Sequence, residues 1–142
     1  MKKQLPTPTK KQWQAVIDNF KKVLPFAKKK NHLNMMETTA MAKNHKCGTI
    51  HCVAGWYAVA LLKDGTINES EYVSYSDGAA AIAKQLGFKN DSQLESWANR
   101  NPDIWGNEDG INMFYSKKAY NGAKSLIEVV IYLEGVRDRS PE

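Results

Sequence analysis

Apolar residues recur along the first part of the chain at the spacing of one helix face. Trp13, Val16, Ile17, Phe20, Val23 and Leu24 stand at i, i+3, i+4, i+7, i+10 and i+11, a stripe that a 3.6-residue period gathers on one side. The spacing predicts an amphipathic helix over 7–24. Thr7 suits its cap, Pro8 its first helical position and Pro25 its stop. Lys10, Lys11, Lys21 and Lys22 fall away from the stripe, so this helix should dock with its lysines outward. Between Phe26 and Lys46 the pattern is irregular: Lys28–Lys30 read as a loop, and Leu33, Met35, Met36 and Met41 as anchors.

Thr49 to Leu62 (TIHCVAGWYAVALL) is apolar nearly all round, the signature of a buried central helix. Thr49 fits its N-cap, and Trp56 and Tyr57 should fill the core around Gly55. After the Asp64-Gly65 turn, Thr66-Ile67 and Tyr72–Tyr75 alternate weakly enough to leave a short β-hairpin open. Ser76 or Asp77 should start a helix that runs through Ala79 to Leu86, stopped by Gly87, with Phe88 packing back. Ser92-Gln93-Leu94-Glu95 fits a capping box and opens a short helix with Leu94 and Trp97. Asn99 to Gly110 reads as a loop. Ser116 fits the cap of a last helix carrying Ala119, Ala123, Leu126, Ile127, Val130 and Ile131, while Val129-Val130-Ile131 would also suit a strand. The expected fold is mainly α: one compact helical domain over 1–142, four to five helices around a buried central one.

Length and composition agree with that reading and narrow the class. One hundred and forty-two residues, 42% hydrophobic and 25% charged, suffice for one core without metals or disulfides. Collagen-like, low-complexity and disordered chains are excluded. No apolar run reaches the ~18 residues of a membrane span, and Met1–Lys11 has no apolar segment behind its lysines. A soluble cytoplasmic protein without a membrane partner is the expectation.

Charge is distributed unevenly. The net +5 divides into +9 over residues 1–46, where eleven Lys face only Asp18 and Glu37, and −4 over the rest. A basic front on an acidic body suits a protein partner with an acidic surface, or a polyanion. Lys10, Lys11, Lys21, Lys22, Lys28, Lys29 and Lys30 are the candidate contacts. Trp105 in the polar loop is another, provided it is exposed. Base-edge reading leans on Arg, and Arg100, Arg137 and Arg139 all lie late in the chain. Nucleic-acid contact, if made, would be non-specific.

The string Cys47-Gly48-Thr49-Ile50-His51-Cys52-Val53-Ala54-Gly55-Trp56 resembles the CGTxxCxAGW motif of a family of small uncharacterised bacterial and phage proteins. The likeness covers roughly 33–135: Leu33-Asn34-Met35 before the motif, then Leu86-Gly87-Phe88, Leu94 to Trp105 and Ala123 to Gly135. The basic first helix lies outside it. The resemblance implies an architecture and a bacterial or phage setting, with no catalytic residue or cofactor to transfer.

Chemistry-bearing side chains concentrate around that string. His45, Cys47, His51 and Cys52 are candidate metal ligands, with His32 upstream. The C-x4-C spacing lies at the edge of knuckle spacing, and no second pair follows. Cys52 in a first helical turn, with His45 or His51 as base, is a candidate nucleophile. A Cys47–Cys52 redox pair is a third reading, and a buried folding signature with no chemistry a fourth. Asp103, Asn107, Glu108 and Asp109 offer oxygen ligands without EF-hand spacing. GxGxxG, Walker A, HExxH and GxSxG are all absent. The favoured expectation is a non-catalytic binding or regulatory protein acting through its Lys-rich first helix. The alternatives are a Cys/His enzyme or zinc protein, and a non-specific nucleic-acid binder.

Overall fold

The computed structural model describes residues 5–26, 39–41, 53–63, 72–106 and 125–142. The first amphipathic stripe becomes helix α1, Lys10–Val23, followed by a 3-10 turn at Leu24–Phe26. Its cap is Thr9, not Thr7. The Thr9 hydroxyl accepts from Gln12 N, and Gln12 Oε1 accepts from Thr9 N at 2.9 Å, a reciprocal box that satisfies two orphan donors. Pro8 is buried just ahead of the helix instead of opening it. Trp13, Val16, Ile17, Phe20 and Val23 are all buried, as the spacing required.

Helix α2, Val53–Lys63, is the apolar segment, and Trp56 through Leu61 are each buried. It packs between α1 and α3, Tyr75–Gln85. Phe20 and Tyr57 meet edge-on at 4.9 Å, while Asn19 Nδ2 donates to Tyr57 Oη at 2.8 Å. One edge of the α1–α2 contact is thus apolar and the other hydrogen-bonded. Helix α3 ends in the expected turn: Gly87 has φ +90°, and Phe88 folds back with its N–H donating to Ala83 O at 2.9 Å. A side chain at Gly87 would be strained by that φ, and its Cβ would stand 3.2 Å from Gln12 Nε2.

Helix α4, Asp91–Arg100, begins earlier than the Ser92 box predicts. Asn90 caps it, accepting from Gln93 N at 3.0 Å, while Gln93 Oε1 accepts from Lys89 N at 2.9 Å. A single helical turn, α5, Pro102–Trp105, follows inside the segment expected to be loop. The last described helix, α6, Leu126–Arg139, is capped by Ser125 with Glu128 closing the box. Val129, Val130 and Ile131 are therefore helical. Ser116, Ala119 and Ala123 lie outside the described residues, as does Thr49.

Six α-helices occur among the described residues, against the four to five expected. The one β pairing among them is short: β1, Thr39–Met41, runs antiparallel to β2, Tyr72–Ser74. Tyr72–Ser74 thus pairs across more than thirty residues, and Thr66-Ile67 of the considered hairpin lies outside the described residues. Three residues per strand make no layer, so the domain is helical.

The core joins α1, α2, α3, α4, α5 and α6 in one cluster. The four tryptophans are each 1% exposed, so none of them forms a stacking platform. Trp13 stands 6.0 Å from Trp97 and 6.2 Å from Trp105, centroid to centroid. No described helix is long and apolar enough to cross a membrane.

Candidate functional site

Helix α1 arranges its lysines in two ways. At 100° per residue, Lys11 and Lys22 stand about 160–180° from the centre of the apolar stripe, and Lys10 and Lys21 about 80–100° from it. The flanking pair meets α6 and the segment after it. Lys10 Nζ lies 2.9 Å from Glu142 Oε1, and Lys21 Nζ 4.0 Å from Glu134 Oε2. Both ion pairs are solvent-exposed, the Glu142 side chain by 89%, and exposed pairs contribute about 0–1 kcal/mol. Their carboxylates are therefore readily exchanged for others.

Lys11 and Lys22 are exposed and point away from the body. Eleven residues apart, they are separated by about 16 Å along the axis. Asp18 lies between them, exposed, and accepts from Gln14 Nε2 at 2.8 Å. The outward line of α1 is thus basic at both ends and acidic in the middle. Lys28, Lys29 and Lys30 lie outside the described residues.

Trp105 is a core residue and offers no exposed ring. It is 1% exposed and packs edge-on to Tyr132 at 5.1 Å. Its carbonyl is held from α6: the Tyr132 hydroxyl donates to Trp105 O, and Arg139 Nε donates to Ile104 O at 2.9 Å. Gly106 ends the turn with φ +83°, and a Cβ there would stand 2.7 Å from Arg139 Nη2. A short helix without a capping side chain at its start is thus held by its last carbonyls. Burial pushes the Tyr132 phenol up to about 12, partly offset by Arg139.

The Cys/His candidates His45, Cys47, His51 and Cys52, with His32, lie outside the described residues. So do Asn107, Glu108 and Asp109, while Asp103 is exposed on α5. Among the described residues no group of three or more His, Cys, Asp or Glu is placed to hold a metal.

Two features escaped the sequence pattern. Glu95, read as part of a capping box, has one carboxylate oxygen buried without a hydrogen-bond partner. Burial, then the nearby Asp91, raises its pKa from 4.5 to about 7. Thr7, read as a cap, instead accepts from Trp97 Nε1 at 3.3 Å across ninety residues of sequence. A contact of that range leaves no local signal. Comparison with protein-family models, with curated proteins and with solved structures gives no match in any of the three.

Proposed function

We propose that the protein is a non-catalytic binding or regulatory module that presents the outer half of α1 to an acidic protein surface. One observation carries the reading: α1 buries a complete apolar face and carries four lysines off that face, with Lys11 and Lys22 on the side opposite the core. Lysines along α1, without an arginine and with Asp18 among them, suit pairing with scattered carboxylates better than a continuous phosphate backbone. The bacterial or phage family suggested by Cys47–Trp56 accompanies this reading as a proposal of the same standing.

Poly-L-glutamate serves as a test ligand, with a duplex oligonucleotide as comparison. The wild-type chain should bind poly-L-glutamate in a salt-sensitive manner, and changing Lys10, Lys11, Lys21 and Lys22 together to Glu should weaken it roughly tenfold or more at low ionic strength. Lys11→Glu with Lys22→Glu leaves both ion pairs to the C-terminal region intact, and should lose a large part of the same affinity. Unchanged binding by both variants would remove α1 from the interface. Tighter binding to the duplex, with a log–log salt slope of about −0.9 per phosphate neutralised, would replace the protein partner with nucleic acid.

A further inference from the structure

The extended segment before α1 crosses the C-terminal end of α4 and leaves a cleft of about 220 Å³ lined by Leu5, Thr7, Trp97, Arg100 and Asn101. Its hydrogen-bonding groups are largely unspent. The Thr7 oxygen accepts from the Trp97 indole, so its own hydroxyl hydrogen remains to be donated. Asn101 Nδ2 gives one hydrogen to Trp97 O at 2.7 Å and keeps the second. Arg100 is exposed, and its guanidinium has no carboxylate within ion-pair distance among the described residues. Among the described lining residues donors therefore outnumber acceptors, and the one charged group is a cation.

The geometry points to a binding site for a small organic carboxylate, held by the Arg100 fork with Thr7 and Asn101 as further donors. A planar carboxylate matches a guanidinium through two parallel hydrogen bonds. Leu5, half-buried at the mouth of the cleft, gives the apolar contact for the carbon skeleton, with the buried Trp97 behind it. At about 30 Å³ per water the cleft has room for roughly seven waters, which limits the ligand to a short acid or the last residue of a peptide. The cleft sits at a helix C-terminus, where unpaired carbonyls disfavour anions. Recognition therefore depends on Arg100, and removing that charge should abolish binding more completely than losing either neutral donor. This site is independent of the lysines of α1.

Isobutyrate, its neutral isostere isobutyramide, and a tripeptide ending in Val with a free or amidated C-terminus are the probes. The reporter is the Trp97 indole N–H resonance, identified by its loss in Trp97→Phe. Isobutyrate or the free-acid tripeptide should shift that resonance saturably, and isobutyramide and the amidated peptide should not. Arg100→Gln, an exposed substitution, should weaken binding by roughly tenfold or more, and Arg100→Lys should recover part of it. A response to the free-acid peptide alone identifies a chain terminus as the source of the carboxylate; a response to isobutyrate identifies a free acid. The assignment is overturned if no acid saturates, if the amides match the acids, or if Arg100→Gln binds as wild type.

Discussion

A single carboxyl group gives the molecule a distinctive pH response. Glu95 lies on α4 with one oxygen buried and unpartnered and with Asp91 one turn away. Its folded-state pKa of about 7 exceeds its ordinary 4.5, so the folded chain holds a proton that the unfolded chain has released. The contribution of this group is fully present below about pH 4.5 and is lost as pH rises through 7. Urea denaturation of wild type and Glu95→Gln at pH 5 and pH 8 should show the variant gaining stability at pH 8 relative to wild type. A gain on the order of 1–2 kcal/mol is expected, because the group is half in solvent. Equal pH dependence in the two proteins would show that Glu95 ionises freely. Among the described residues Trp13 Nε1 is the other buried side-chain polar atom without a partner; its indole fills volume beside Trp97 and Trp105.

Elements were legible where periodicity and burial coincide. In α1 the stripe from Trp13 to Val23 gave the helix, its buried face and the lysines opposite, because nothing tertiary competes with that pattern. Helix α6 was harder. Its apolar residues outnumber its buried ones: Leu126, Val129, Val130, Leu133 and Val136 are buried, while Ile127 is 41% and Ile131 62% exposed. Periodicity at i, i+3, i+4 admits either set until the packing partner is known, and that partner, α1, lies more than a hundred residues away. Leu133→Ala should therefore cost about 2–5 kcal/mol, and Ile131→Ala no more than about 0.5 kcal/mol, read as shifts of the urea midpoint at constant m. Comparable losses would mean that the outer face of α6 is covered in solution. Caps slipped for a related reason. Thr7 and Thr9 are both competent to cap α1, as Asn90 and Ser92 are to cap α4, and Thr9 and Asn90 are the ones used. The cleft at Arg100 had no sequence signature, since Leu5 and Thr7 meet Trp97 and Asn101 only through the fold.

At the scale of the whole molecule, the first and last described helices are joined. Lys10 N donates to Pro141 O at 2.8 Å, Arg137 Nη1 donates to Gln14 Oε1 at 2.7 Å, and Lys21 faces Glu134. The Ser140 hydroxyl, 5% exposed, donates to Val136 O at 2.7 Å and ends α6 against the core. Removing residues 140–142 deletes that cap, the acceptor for Lys10 N and the Glu142 carboxylate. A loss of about 1–3 kcal/mol is expected from three hydrogen bonds, those of Ser140 Oγ to Val136 O, Ser140 N to Arg137 O and Lys10 N to Pro141 O, and one weak ion pair. Denaturation of the shortened chain measures it, and an unchanged midpoint would show that the two helices hold without this strap.

The same joining sets the order of events during synthesis. Gln14 and Arg137 are 123 residues apart, so α1 leaves the ribosome long before the helix that covers it exists. At 5–20 residues per second the delay is roughly 6–25 s, far beyond the microseconds that a helix needs to form. For that interval Trp13, Val16, Ile17 and Phe20 wait without their cover from α6, and a helix of 14 residues gains most of its stability only once such packing arrives.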